Sequence, residues 1–284
     1  MTAPSCIVDL QPLDLERWRE KRPFFCVHPV SGSVSRYYDL ARHLGRDRPF
    51  FGIQSAGLDG REPPLTRIPR MAARYAREIR AIQPAGAILL GGWSLGGIIA
   101  FETARQLAAA GEDIALLAII DAKAPGFLSI ERRDPVQLLI DLFPDELHSI
   151  ETDLRRVDRD ERLALAYEHV RRADRVPAGF TLAWFRTYFD VFEANCESIH
   201  AYRTQPCELA ATLFRASEDL AREPGPPAVG WNTVARGGVA VIPVPGSHAS
   251  LVSEPQVVVL AERLNAAMAR AEAGRPADGA PRRP

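Results

Sequence analysis

The chain has 284 residues, with 35 basic and 36 acidic side chains and a formal net charge of −1. Its composition is 46% hydrophobic, 25% charged and 8% aromatic, enough to bury a full core in one large α/β domain or two small ones. These figures exclude a disordered chain, a collagen and a coiled coil, and the charge balance lacks the basic excess of a nucleic-acid-binding protein.

The four cysteines, Cys6, Cys26, Cys196 and Cys207, are scattered and show no CxxC spacing. A chain of this size does not need disulfides, so reduced thiols, a cytoplasmic location and no metal site are expected. Residues 1–15 carry Asp9 and Asp14 and lack the basic start and apolar run of a secretory leader. The longest apolar stretch, Ile114–Ile120, is far too short to cross a bilayer, so no membrane association is expected.

Residues 1–20 read as an extended lead-in, and the Gly/Pro/Arg-rich segment 271–284 as a disordered tail. Between them, short apolar runs alternate with helical spacing. Runs at Pro23–His28, Phe50–Gln54, Ala87–Leu90 and Ile114–Ile120 read as strands, the third stopped by Gly91-Gly92. Arg70–Ile82 and Leu95–Ala110 read as helices. Near-continuous apolar runs separated by helices predict a mostly parallel sheet flanked by helices on both faces. From 125 to 205 the pattern is purely helical, with helices predicted over Pro135–Phe143, Arg159–Asp174 and Thr181–Tyr202. In the last, Phe185, Tyr188, Phe192, Asn195, Ile199 and Tyr202 fall on one face. Strand signals return at Ala211–Phe214 and Val239–Val244, and a helix from about Pro255 to Met268 closes the sequence. Residues 21–270 therefore form one α/β domain, and 125–205 is an insertion in its sheet.

The sharpest chemical signal is Gly92-Trp93-Ser94-Leu95-Gly96. Five residues match GxSxG easily by chance. Here they follow an apolar strand and open an Ala-rich helix, which is the strand–turn–helix setting of a nucleophile elbow. A serine hydroxyl is a weak nucleophile at neutral pH, so it needs a base, and the base needs orienting. Of six histidines, only His248 lies in a loop directly after the last strand; His43, His148, His169 and His200 lie in helical patterns. The orienting carboxylate is expected at another strand end. Asp121, directly after Ile114–Ile120, is favoured over Glu218-Asp219 after the next strand. The order Ser94, Asp121, His248 is that of α/β-hydrolases, so that fold is expected. The loop His28-Pro29-Val30-Ser31-Gly32 follows the first strand, and the backbone N–H groups of Val30 and Leu95 are the natural oxyanion donors. His28 reads as a structural loop residue, not as a second base.

The segments FFCVHPVSGSVSRYYDLARHL, GGWSLGGIIAFETARQL, IDAKAPG, FEANCESIHAY, TLFRA and VPGSHASLVSEP resemble the thioesterase domains that terminate nonribosomal peptide and polyketide assembly lines. The resemblance covers about residues 8 to 268. It implies Ser94, Asp121 and His248 as the triad and the 125–205 insertion as a lid over the site. It implies a substrate delivered on the phosphopantetheine arm of an acyl or peptidyl carrier protein, with no bound cofactor, and release by hydrolysis or cyclisation. Two loops depart from the family pattern: Ser31 stands where a glycine is usual, and Ser247 where an acidic residue often precedes the histidine. The aromatic residues Phe185, Tyr188 and Phe192 are candidates for lining the substrate channel, with packing of the lid onto the sheet as the plainer role. Arg70, Arg74 and Arg77 share a helix face that is either a carrier-docking surface or merely solvated. An editing thioesterase that clears stalled carriers, an esterase acting on free esters, and an inactive hydrolase fold used as a binding module are the alternatives.

Overall fold

The computed structural model describes residues 5–11, 21–127, 132–173, 179–222 and 225–273. Seven strands make one sheet: β1 (Ile7–Asp9), β2 (Phe24–Val27), β3 (Phe50–Ile53), β4 (Ile88–Trp93), β5 (Ile114–Ile120), β6 (Ala211–Ala216) and β7 (Val239–Val244). Their order is β1-β3-β2-β4-β5-β6-β7. Only β1 runs antiparallel to its neighbour; the other pairings are parallel. The strands β2 to β5 are apolar because helices cover both sides of the sheet. On one face, α2 (Ile68–Ile82) and α3 (Leu95–Ala109) bury Met71, Tyr75, Ile99 and Phe101 against Phe25, Leu90 and Ile119. On the other, α1 (Tyr37–Leu44) and α10 (Gln256–Glu272) bury Leu40, Leu260 and Leu264 against Phe24, Leu89 and Ile120. This is the expected α/β-hydrolase fold.

The chain between β5 and β6 is a helical insertion: α4 (Pro135–Leu142), α5 (Pro144–Leu147), α6 (Glu151–Arg156), α7 (Arg159–Arg172) and α8 (Leu182–Ala201). Three of these helices begin at a side-chain cap. Asp134 accepts from the Val136 and Gln137 amides, Asp158 from the Glu161 amide and Thr181 from the Trp184 amide. The insertion has an apolar cluster of its own, containing Leu139, Leu147, Leu154, Val170, Phe185 and Phe189. A short helix, α9 (Ser217–Arg222), follows β6.

Several boundaries differ from the sequence expectation. The lead-in contributes β1, which pairs with β3 because an exposed strand edge can accept any extended neighbour. Residues 12–20 lie outside the described ones. Gly91 and Gly92 do not stop a strand but continue it, since their missing side chains let α3 and β5 approach. The helices α1, α5, α6 and α9 span eight residues or fewer, too short to show a helical period. The closing helix runs to Glu272, into the segment expected to be disordered; residues 274–284 of that tail lie outside the described ones. Arg74 is not on a solvated face. Its guanidinium is buried between Glu62 and Glu78, so the Arg70, Arg74, Arg77 row is not a uniform cationic surface.

Among the described residues, the closest approaches of a glycine to neighbouring backbone lie where α3 crosses β2 and β4. A Cβ on Gly96 would stand 2.2 Å from the Val27 carbonyl oxygen, and one on Gly92 would stand 2.3 Å from the Gly96 backbone. Backbone cannot yield as a side-chain tip can. Gly96→Ala is therefore expected to destabilise by at least the upper part of the ~1–3 kcal/mol overpacking range, read as a lowered denaturation midpoint at unchanged slope. A midpoint equal to the parent's would show that α3 can move away.

Candidate active site

The strand order reverses at β2 and β4, which places the ends of four strands around one crevice, where open α/β sheets bind their ligands. Val30 follows β2, Ser94 follows β4, Asp121 follows β5 and His248 follows β7. The turn from β4 into α3 is so short that Ser94 takes φ 59° and ψ −128°. A non-glycine residue there is strained. The strain is held by backbone on both sides: the Ser94 N–H donates to the Ile120 carbonyl at 2.9 Å and its carbonyl accepts from Gly97 at 3.0 Å.

Three side chains meet in a row. His248 Nε2 lies 3.1 Å from Ser94 Oγ, and His248 Nδ1 lies 2.8 Å from Asp121 Oδ2. An ionised carboxylate only accepts, so the proton sits on Nδ1 and Nε2 turns its lone pair to the serine. Asp121 is buried. Burial pushes its carboxyl up, but hydrogen bonds from His248 and the Ala216 amide, with the charges of His248 and Arg215, outweigh that and hold it below the ordinary aspartate value. The Ala216 amide donates to Asp121 Oδ1 at 2.9 Å and Arg215 Nη1 does so at 3.2 Å. The rival acid Asp219 does not touch the imidazole. Its carboxylate accepts from the backbone N–H of His248 at 3.1 Å, so it holds the loop that carries the histidine. The Trp93 ring packs 5.3 Å from the imidazole.

Val30 and Leu95 both line the same cavity as Ser94, and among the described residues neither backbone N–H has a hydrogen-bond partner within the protein. The peptide joining Pro29 to Val30 is fixed from behind. Its carbonyl accepts from the Gly32 amide at 2.9 Å and meets His28 Nδ1 at 2.7 Å. In a trans peptide the N–H points opposite to the C=O, so the Val30 N–H faces away from these partners. His28 Nε2 meets the Tyr75 hydroxyl at 2.9 Å. Burial lowers the His28 pKa to about 4, keeping the ring neutral and able to donate from Nδ1 while accepting at Nε2.

Ser94, His248, Val30 and Leu95 open onto a cavity of about 1040 Å³ roofed by α4 and α8. Phe192, Cys196, Ile199 and Leu138 line it, with Arg132, Glu193 and Glu197 among the charged groups. Of the three aromatic channel candidates, only Phe192 borders this cavity. Phe185 lies wholly inside the insertion's own core, and Tyr188 stacks on Trp184 with ring centroids 4.9 Å apart. One stripe cannot face one place over a helix this long: its ends lie about 30 Å apart, and only the carboxyl-terminal half of α8 lines the cavity onto which Ser94 opens. Sequence reasoning passed over Arg215 and gave no role to Asn195. A charged residue between Phe214 and Ala216 in a buried strand was a signal for the first, and one amide in an aromatic stripe a signal for the second. Among the described residues no cluster of side chains suits a metal ion, and no helix is long and apolar enough to cross a membrane.

A family model described as a thioesterase domain matches residues 22–268. The chain belongs to the thioesterase-domain family. It is 40% identical over 131 residues to a dimodular nonribosomal peptide synthase of Bacillus subtilis (strain 168), a match covering 46% of this chain and 6% of that protein. Its fold is similar to the structure of holo-AB3403, a four-domain nonribosomal peptide synthetase bound to AMP and glycine. The TM-score is 0.81 at 27% identity, over 93% of this chain and 20% of that one. It is also similar to the NocB thioesterase domain in covalent complex with a fluorophosphonate nocardicin G analog. There the TM-score is 0.65 at 22% identity, over 88% and 94% of the two chains. This thioesterase domain thus spans only a small part of the full length of the synthase and of the synthetase it matches.

The buried neutral His28 has a consequence for stability. The unfolded histidine takes up a proton near pH 6.5 and the folded one only near pH 4. Between those values the unfolded state binds more protons, so this contribution is complete above pH 6.5 and is lost as pH falls towards 4. About 3 kcal/mol of acid destabilisation is expected from this group, and urea midpoints of His28→Gln are expected to fall less steeply than the parent's across that window. Parallel pH profiles for the two proteins would remove His28 as the cause.

Proposed function

We propose that this thioesterase domain releases an acyl or peptidyl chain from the phosphopantetheine thioester of a carrier protein through an acyl-enzyme on Ser94. The observation that carries this reading is the unbroken row of Asp121, His248 and Ser94 opening onto a cavity large enough for an acyl chain. His248 takes the Ser94 proton as Oγ attacks the thioester carbonyl. The Val30 and Leu95 amides stabilise the oxygen that becomes charged. The tetrahedral intermediate collapses, the C–S bond breaks, and the imidazolium returns the proton to the departing thiol. A second nucleophile, water or a hydroxyl or amine of the chain itself, gives its proton to His248 and attacks the ester. A free acid or a ring leaves, and Ser94 regains its proton. Asp121 keeps the imidazole in the required tautomer and stabilises its charged form. The phosphopantetheine arm is part of the substrate, and the site's own groups supply each proton transfer.

The helices α4 to α8 act as the lid in this scheme. A cavity with an apolar wall at Phe192 and Ile199 shelters the acyl-enzyme from water, which favours an internal nucleophile. Charged residues of the same wall are neutralised by partners: Arg132 bonds Glu197 at 2.6 Å, Arg133 lies 3.6 Å from Asp141, and Glu193 bonds Arg159, outside the wall, at 2.9 Å.

Mass spectrometry of the protein mixed with a panel of acyl-pantetheine thioesters tests the acyl-enzyme. A mass increase located on Ser94 is expected, together with a linear or cyclic product. Ser94→Ala and His248→Ala are each expected to lower turnover by about 10⁴-fold or more. Absence of loading, with no labelling of Ser94 by a fluorophosphonate probe, would leave the fold as a binding module. Asp121→Asn is expected to lose most activity by stabilising the wrong tautomer, whereas Asp219→Asn keeps the imidazole's own partner and loses less. The reverse order in turnover rates would transfer the acidic role to Asp219.

A further inference from the structure

The oxyanion loop is gripped by the insertion. Three residues of α8 meet three consecutive residues of that loop. Asn195 Nδ2 donates to the Val30 carbonyl at 2.9 Å. The Tyr188 phenol meets the Ser31 side chain. Val191 packs so closely on Gly32 that a Cβ there would stand 2.5 Å from its Cγ1. Positions 188, 191 and 195 form one stripe along a helix. Val30 itself packs against both the main core and the insertion's core.

Asn195 is fully buried, and among the described residues its Oδ1 has no partner. A carbonyl only accepts, so the atom facing Val30 must be the amide's NH₂. Burying an amide with half its hydrogen-bonding capacity unused is costly, and an apolar side chain of similar shape would avoid the cost. The one hydrogen bond its side chain makes falls on Val30, the residue that lines the cavity with Ser94 and whose N–H points away from the partners of the Pro29 carbonyl. Behind that residue, the Pro29 carbonyl is already held by His28 and Gly32. Fixing the next carbonyl as well leaves Val30 no freedom to turn its N–H away.

We infer that Asn195 is a positioning residue that makes the oxyanion hole depend on the seating of the lid helix α8. The same helix lines the acyl cavity one turn away, through Phe192, Cys196 and Ile199. A chain that fills the cavity and seats α8 therefore also sets the donor that its own carbonyl needs. This inference rests on the acyl-transfer reading of Ser94 and deepens it.

The test compares Asn195→Leu and Asn195→Ala with the unmodified protein, using an acyl-N-acetylcysteamine thioester that loads Ser94. Phenylboronic acid serves as the tetrahedral mimic. Loss of an oxyanion donor costs about 10²–10³-fold, so loss of its positioning is expected to lower kcat about 10- to 100-fold. KM is expected to stay within about threefold, and boronate affinity to fall in parallel with kcat. Leu154→Ala supplies a control: Leu154 is buried in the insertion's core, makes no side-chain hydrogen bond to the loop and does not line the cavity. It should lower the melting temperature while leaving kcat within about twofold. An unchanged kcat in both Asn195 variants, a rise in KM alone, or an equal kcat loss in Leu154→Ala would overturn the inference. If the Asn195 variants fold poorly, boronate affinity per folded molecule is read instead, and an affinity equal to the parent's overturns it. Failure of the unmodified protein to load Ser94 is a separate outcome and removes the acyl-transfer reading together with this one.

Discussion

Ser94 sits at φ 59°, in a conformation that an L-residue adopts only when its surroundings force it. The force is steric. The helix α3 begins against β2 so closely that Gly96 nearly touches the Val27 carbonyl, and the strand-to-helix turn has no room to relax. This arrangement does three things at once. It lifts the hydroxyl clear of the sheet. It places the first turn of α3, with a Leu95 amide that has no partner among the described residues and a positive end, beside that hydroxyl. It also brings Ser94 level with the ends of β2, β5 and β7, where the other groups arrive.

Those other groups are held in layers. His248 touches Ser94 and Asp121 directly. Asp121 is held by the Ala216 amide and Arg215, and the histidine's backbone by Asp219. Each outer contact uses a buried or backbone partner, so each removes a freedom that the imidazole would otherwise have. The half-exposed histidine is the accessible member of the row, with 45% of its side chain open, in contrast to Asp121 at 2%. That contrast suits a proton carrier served by a fixed carboxylate. Trp93, the variable position of the elbow, also has a physical part, since its ring packs against the imidazole from the serine's own loop.

The insertion is a second packing unit joined to the first at few places. Its core holds Leu139, Leu154, Val170 and Phe185 together without the sheet. The joints are informative: Tyr202 donates to buried Glu102 on α3 at 2.8 Å, Asn195 donates to Val30, and Val30 packs into both cores. Together with Tyr188 on Ser31 and Val191 on Gly32, these contacts seat the insertion on the sheet domain. The cavity between the two units is then a property of their fit, not of either alone.

Much of this was legible in the sequence, because strong local signals coincide with the chemistry. GGWSLGG between an apolar run and an Ala-rich helix marks the elbow, because only small residues permit so tight a turn. Asp121 is legible because it directly follows an apolar strand and His248 because it lies in the loop just past the last one, and parallel strands deliver their carboxyl ends to one edge. What the sequence could not decide depends on partners distant along the chain. Asp219 reads from the sequence as a rival for the acidic role, and only the packing of β6 between β5 and β7 shows that it bonds the histidine's backbone while Arg215 bonds Asp121. Arg74 reads as a surface cation until Glu62 and Glu78 enclose it. The aromatic stripe of α8 is a true stripe, yet its two ends face different surroundings, which helical periodicity cannot distinguish. Asn195 stands out only as one amide among aromatics, and its bond to Val30 spans 165 residues. Local order is written in nearest neighbours along the chain, whereas these contacts exist only after the sheet has closed and the insertion has come to rest on it.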